Sequence, residues 1–231
     1  MIDEVDTKLE SNLDYAFDNQ YGYLTACPTN LGTGMRASAM LHLPGLVLSE
    51  QINKVINAVN KIGLAVRGLY GEGTEALGNL FQVSNQHTLG EQENEIIARL
   101  EKVIRQIIEH EKNAREKLYN EKQTVLDDKI GRSYAILRYG HIISTKEALD
   151  LLSMLRAGVD LGYFSEDIRA LIDVLFMEIQ PAHLQVFADR KLGAEERDSL
   201  RAEIMRDRLK SLPEPSRFSS NKSNEQSSDG D

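Results

Sequence analysis

The feature that most constrains the fold is a change of sequence pattern near Gln92. Before it, short apolar runs of strand type alternate with helical ones, whereas after it the periodicity is helical throughout. Residues 93–126 begin that second part with apolar residues on one helix face and predict one long helix. A sheet-containing segment followed by an all-helical one predicts the α+β class, with domains at 1–115 and 116–212. The polar residues 213–231 predict a disordered tail.

Local patterns predict the elements of each part. Strands are expected at 22–27, 36–43, 64–67 and 79–84. In the second strand, Ala37, Ala39 and Leu41 alternate with Ser38, Met40 and His42, which predicts one buried and one exposed face. Pro44-Gly45 should end this strand, and Ser49 should cap a helix over 49–62. Further helices are expected at 1–17, 144–155 (where Ser144 and Glu147 form a capping box), 167–179 and 194–209.

Composition excludes several classes of function. The 231 residues carry a net charge of -9 with a pI near 5.2, which argues against a general nucleic-acid binder. No apolar run approaches the roughly 20 residues that span a bilayer, and the acidic N-terminus lacks a secretory signal, so a cytoplasmic protein is expected. The single cysteine and five scattered histidines lack metal-ligand spacing, and no metal held by protein side chains is expected.

Two glycine-containing motifs place arginines beside tight turns. The first is C-P-T-N-L-G-T-G-M-R-A-S over 27–38, and the second is R-G-L-Y-G-E-G-T-E over 67–75. Transfer of the terminal phosphoryl group of ATP depends largely on positioning and on cations, which Arg36 and Arg67 could supply together with turn amides. Each arginine alone could equally be a solvated surface charge. Neither a P-loop nor protein-kinase motifs occur, so the nucleotide site must be of another kind.

A phosphoryl acceptor that is itself cationic, such as a guanidinium, would also need a carboxylate that binds the cation and helps to remove its proton. Glu72, between two glycines, is the candidate, and Glu75 is a weaker one because it could simply cap the local turn. Cys27 could serve as a thiolate whose pKa is lowered by nearby positive charge. As a lone cysteine, it could also be a small buried apolar residue.

These motifs resemble those of the ATP:guanido phosphotransferases, or phosphagen kinases. The segments Y-G-Y-L-T from Tyr21, M-L-H-L-P-G-L from Met40 and S-N-Q-H-T-L-G from Ser84, with the helical second half, are similar to the bacterial protein-arginine kinases of that family. The resemblance implies the C-terminal part of a catalytic domain, with an antiparallel sheet flanked by helices, followed by a helical regulatory and dimerisation domain. It implies transfer of phosphate from ATP with Mg²⁺ to arginine side chains of proteins, which marks them for Clp-type proteolysis in the stress response.

The resemblance also implies site residues. Those for the nucleotide are Arg36, Ala37, Ser38, Ala39, Met40, Arg67, Gly68, Leu69, Tyr70, Gly71 and Glu72. Glu72 maps onto a guanidinium-binding carboxylate and Cys27 onto the active-site cysteine. The run R-D-S-L-R-A matches an R-D-x-x-R-A motif that forms an allosteric phosphoarginine pocket, which implies Arg197, Asp198, Arg201 and Ala202. Arg197 and Arg201 lie four residues apart and could grip a phosphoryl group, although ordinary helix salt bridges show the same spacing.

Two family motifs expected far upstream of the cysteine, S-x-R-x-R and N-E-E-D-H, do not occur in the sequence. An N-terminally truncated chain is therefore expected. The implied partners are arginine-bearing proteins, phosphoarginine, a Clp-type unfoldase or protease, a kinase activator protein and a second copy in a homodimer. Two alternatives stay open: a non-catalytic module for phosphoarginine binding or dimerisation, and half of an enzyme completed in trans.

Overall fold

A computed structural model describes residues 2–68 and 76–216, which form nine α-helices and two small antiparallel sheets, an α+β fold as predicted. The elements are α1 Ile2–Glu10, β1 Phe17–Asp18, β2 Gly22–Tyr23, β3 Ser38–His42, α2 Pro44–Leu48, α3 Ile52–Lys61, β4 Leu64–Gly68, β5 Leu80–Asn85, α4 Glu93–Glu121, α5 Gln123–Tyr139, α6 Thr145–Asp160, α7 Ile168–Glu178, α8 Pro181–Phe187 and α9 Ala194–Arg208. Within the described ranges, no helix combines the length and apolar character needed to cross a bilayer.

The larger sheet has the strand order β3-β5-β4, with both pairs antiparallel. Met40 pairs with Gln82, which pairs in turn with Arg67. Directly paired residues share a face of the sheet, and so do residues two apart along a strand. The face that carries Arg67 therefore also carries Ser38, Met40 and His42, as the alternation predicted for β3.

The opposite face of this sheet is apolar and forms the first core. Val66, Phe81 and Val83 are at most 6% exposed there. They pack against α3 and α4, which contribute Ile56, Val59, Leu100, Val103 and Ile107. Helices α3 and α4 therefore cover the apolar side of the sheet, and the side that carries Arg67 faces away from this core.

The second core lies in the helical half, around α6. Leu149, Leu152 and Leu155 of that helix are fully buried, and side chains from α5, α7 and α9 surround them. Ser144 accepts a hydrogen bond from the Glu147 backbone N–H (3.2 Å), so the predicted cap of α6 is confirmed. Because Leu80 of β5 belongs to this same core, α6 also packs against one end of the sheet.

A buried ion network joins the two halves. Glu111 of α4, only 4% exposed, accepts hydrogen bonds from the backbone N–H groups of Gly45 (2.8 Å) and Leu46 (2.9 Å). Arg115, one turn later, donates to Glu111 (2.5 Å) and also to Asp160 at the end of α6. Helix α4 thus contacts the start of α2 and the end of α6 at the same time.

Several predicted boundaries differ from the structure. The helix expected over 93–126 is interrupted at Lys122, whose φ of -137° and ψ of 37° are not helical. The helix expected over 49–62 starts at Ile52, because Pro44 begins a separate helix that ends at Leu48 and has Ser49 as its C-cap; the expected N-cap role of Ser49 is therefore wrong. Strand β2 is shorter than the expected 22–27, α1 ends before residue 17, and α8 was not predicted. Packing also continues past residue 213, since Ser216 N–H donates to Tyr163 O (2.9 Å), whereas 217–231 lie outside the described residues.

Candidate functional site

Cys27 lies on the surface, immediately before a 3-10 turn over Pro28–Asn30. Its Sγ is 3.0 Å from the Thr29 hydroxyl oxygen. Hydrogen bonds from the side chain and then from the backbone of Thr29 lower the pKa of the thiol below its ordinary 9.0. A lowered pKa raises the thiolate fraction at neutral pH. The exposed position excludes the alternative of a small buried apolar residue.

Thr88 holds the chain that follows Cys27. Its hydroxyl oxygen lies 3.1 Å from Thr29 O and 2.7 Å from Leu31 O, and its carbonyl accepts a hydrogen bond from Thr33 N–H (3.1 Å). Gly32 lies so close that an added Cβ would sit 2.3 Å from Thr88 O. Since only glycine permits such a backbone approach, the Gly32–Thr88 pair fixes the path of the motif.

Asn85 performs the same role for the segment that contains Arg36. It is 7% exposed, accepts a hydrogen bond from Ala37 N–H (2.9 Å), and donates to Met35 O (3.0 Å). The backbone on both sides of Arg36 is thereby fixed by one buried side chain. Sequence reasoning assigned no role to Asn85 or Thr88, although both belong to the S-N-Q-H-T-L-G segment that carried part of the family resemblance.

The exposed sheet face brings four of the predicted nucleotide residues together. Ser38, Met40 and Arg67 project from it, and the ladder continues through Asn85 N–H to Ala37 O (3.2 Å), which puts Arg36 on the same face. Gln82 lies between the outer strands and donates to Ser38 Oγ (3.0 Å). Arg67 and Met40 are two strands apart, about 10 Å at ordinary strand spacing.

Neither Arg36 nor Arg67 has an ion-pair partner among residues 2–68 and 76–216, and both are exposed. Unpaired guanidinium groups beside hydroxyl and amide side chains suit the binding of an anionic phosphate chain. The face therefore fits a nucleotide chemically.

The remaining predicted nucleotide residues are placed differently. Ala37 and Ala39 point to the apolar face, as does the Gly68 position, so each could contribute only backbone atoms. The predicted residues Leu69, Tyr70, Gly71 and Glu72, together with the weaker candidate Glu75, lie outside the described residues.

Arg201 lies in the core of the helical half, whereas the sequence-based hypothesis has its guanidinium grip a phosphoryl group. It is fully buried, and its guanidinium donates to Ile179 O (3.1 Å), Ile143 O (2.7 Å), Asp198 Oδ1 (2.6 Å) and Thr145 Oγ1 (2.8 Å). Three of these bonds connect α9 to the start of α6 and the end of α7, and the bond to Asp198 lies within α9. The spacing of four residues from Arg197 therefore does not put Arg201 on an exposed face of α9.

The other residues of the R-D-x-x-R-A motif have distinct environments. Arg197 is half-buried, and its guanidinium has no ion-pair partner within the described part of the chain. Asp198 is held by Arg201, and Ala202 is fully buried in the helical core. No group of three or more histidine, cysteine, aspartate or glutamate side chains among the described residues could hold a metal ion.

Comparison with known proteins identifies both halves. Residues 1–114 match the family model described as ATP:guanido phosphotransferase, C-terminal catalytic domain. Residues 123–221 match the model of the protein-arginine kinase McsB C-terminal domain. The chain belongs to the ATP:guanido phosphotransferase family.

Curated relatives show which members of the family the chain is similar to. Protein-arginine kinases of Bacillus mycoides (strain KBAB4) and Bacillus cereus (strain AH187) are each 51% identical to it over 207 residues. The match covers 90% of this chain and 58% of each relative.

Among solved structures, the duplicated taurocyamine kinase of Schistosoma mansoni with bound transition-state analogue components is 33% identical, with a TM-score of 0.41. That match covers 48% of this chain and 15% of the taurocyamine kinase. Lombricine kinase is 31% identical, with a TM-score of 0.39, over 46% of this chain and 29% of its own.

Proposed function

We propose that this chain carries the nucleotide-binding face and the helical domain of a protein-arginine kinase, which transfers the terminal phosphoryl group of ATP to arginine side chains of proteins. The observation that carries the proposal is the exposed face on which Arg36 and Arg67, without an ion pair among the described residues, flank Ser38 and Met40. The family membership and the relatives' names support the choice of arginine as acceptor.

In this proposal, Arg36 and Arg67 bind phosphate oxygens and neutralise the charge that spreads over them during transfer. Magnesium enters with ATP, bound to its phosphates. Cys27 supplies a thiolate beside the acceptor guanidinium, favoured by its bonds to Thr29. Glu72 is assigned, from the family resemblance, as the carboxylate that binds the acceptor and helps to remove its proton.

The wider setting is also a proposal. From the family resemblance, we propose that a Clp-type unfoldase or protease degrades the phosphorylated proteins and that a kinase activator protein regulates the kinase. On the same basis, we propose that the kinase acts in the stress response in the cytoplasm. The chain spans 58% of the length of its curated relatives. The catalytic activity of a whole relative and the formation of a homodimer are therefore proposed for this chain from the family resemblance.

Binding of MgATP by this chain provides the direct test, measured by isothermal titration calorimetry. We expect Arg67→Ala to weaken binding about tenfold or more, as for the loss of a charge-assisted hydrogen bond. Arg132→Ala is the matched control, because Arg132 is also exposed and has no ion pair among the described residues, but lies on α5 in the helical half. Absent binding in the wild type, or equal losses in both variants, would refute the assigned face.

Transfer itself requires a second assay. Radiolabelled ATP and a basic acceptor protein are incubated with this chain, alone and with the polypeptide that corresponds to the unmatched part of a relative. Acid-labile label on arginine that disappears in Cys27→Ala and Glu72→Ala supports the kinase. Label that needs the second polypeptide supports completion in trans, and no label in either mixture refutes catalysis by this chain.

A second candidate function, phosphoarginine binding by the helical half, is favoured by Arg197, whose guanidinium has no ion pair within residues 2–68 and 76–216. Arg201 supports the pocket from behind through Asp198 rather than touching the phosphoryl group. We expect Arg197→Ala to abolish binding of free phosphoarginine with unchanged helical content by circular dichroism. Unaltered binding in that variant would remove the pocket from this helix.

A further inference from the structure

Helix α6 contacts the proposed nucleotide face at its His42 end. His42 closes β3 on the same face as Met40, about 7 Å further along the strand. Its Nε2 lies 2.7 Å from the hydroxyl oxygen of Ser153, a fully buried residue of α6. One end of the face is therefore covered by the helical half, while Ser38 and Met40 at the other end are exposed.

Ser153 also holds the turn that leads into the central strand. Asn79 donates from Nδ2 to Ser153 Oγ (2.7 Å), and its backbone O accepts a hydrogen bond from Leu43 N–H (2.9 Å). The contacts form a closed ring from Ser153 to His42, along the chain to Leu43, across to Asn79 and back. One hydroxyl group thus connects α6 to both β3 and the start of β5.

Neighbouring contacts reinforce this junction. Asp150, one turn earlier on α6, accepts a hydrogen bond from Gly78 N–H (2.9 Å). His42 Nδ1 is buried and has no hydrogen-bond partner within residues 2–68 and 76–216, so among these residues Ser153 provides the one hydrogen bond of the imidazole. Since an unpaired buried polar group is costly, loss of the Ser153 hydroxyl should displace His42 and the end of β3 with it.

We propose that Ser153 is a positioning residue for the nucleotide: through His42 and Asn79 it sets the placement of β3, and hence of Ser38 and Met40, relative to Arg67. The inference rests on the proposed function, because it takes this face as the nucleotide site. Under it, the helical half forms part of the structure that shapes the catalytic half.

The test compares Ser153→Ala with Ser133→Ala. Ser133 is a buried serine of the same half, 3% exposed, but its hydroxyl donates to Lys129 O (2.8 Å) within its own helix α5. We expect Ser153→Ala to weaken MgATP binding about three- to tenfold, the range for part or all of one hydrogen bond. Ser153→Cys, nearly isosteric with a weaker donor, should fall between the wild type and the alanine variant.

Amide hydrogen exchange supplies a readout that needs no nucleotide. Faster exchange at Ser38–His42 in Ser153→Ala, but not in Ser133→Ala, together with the affinity loss, supports the inference. Unchanged affinity overturns it, whether or not exchange changes, because Ser153 would then be structural only. If the wild type binds no MgATP, the proposed function fails, and the exchange data alone decide whether Ser153 positions β3.

Discussion

Replacement of Arg201 should destabilise the protein as a core mutation does. In Arg201→Met, the side-chain volume is largely retained, but the buried carbonyl groups of Ile143 and Ile179 lose the guanidinium as hydrogen-bond donor. Each unsatisfied buried acceptor costs about 1–3 kcal/mol, while removal of a buried charge recovers part of the total. Asp198 is 30% exposed and can be rehydrated, so the expected net loss is about 3 kcal/mol.

Urea denaturation followed by circular dichroism measures this loss by linear extrapolation. Arg197→Met is the control, since a half-exposed residue without a charge partner in the described chain should change the free energy of unfolding by no more than about 0.5 kcal/mol. Arg201→Lys should fall between the two, because an ammonium group cannot reproduce the planar fork that reaches both carbonyls. A loss below about 1 kcal/mol in Arg201→Met would refute the structural role.

Three other outcomes are expected. Burial, followed by the charges of neighbouring arginines, holds the pKa of His42 well below its ordinary 6.5. Below pH 6.5 the unfolded chain therefore binds more protons than the folded one, and the free energy of unfolding should fall as the pH drops. In urea melts at several pH values, His42→Leu should flatten this pH dependence. Gly78→Ala should cost about 2–3 kcal/mol because its left-handed φ of 63° adds to close contacts with α6, whereas Gly90→Ala, with φ of 83° and open space, should cost about 1; equal losses would contradict the packing. Thr29→Val should raise the pKa of Cys27 and slow its alkylation by iodoacetamide at pH 7, and an unchanged rate would exclude the hydroxyl as the cause.

Strong local patterns predicted much of the fold. Strand alternation located β3, and the Ser144 cap located the start of α6, because both signals depend on residues close in sequence. No glycine or proline near Lys122 predicts the break between α4 and α5. Leu118 before the break and Leu126 after it are both buried in the tertiary structure. Such a break depends on long-range packing that periodicity does not contain.

The candidate site was predicted in part, for a similar reason. Arg36 and Arg67 stood out because charge beside glycine is visible in the sequence, and the sheet register then places them on one face. The burial of Arg201 could not be predicted, since spacing on a helix does not say which face is buried. Asn85 and Thr88 act on backbone atoms about 50 residues away in sequence, a relation that only the fold reveals.

The continuity of α4 has a consequence for how the length of this chain can vary. The helix has 29 residues, about 44 Å, and carries Val103 in the sheet core as well as Arg115 at the junction with α6. One inserted or deleted residue between those positions would rotate everything after it by about 100° and turn Arg115 away from Asp160. Functional homologues should therefore accumulate insertions and deletions in the loops, while α4 keeps a constant number of residues.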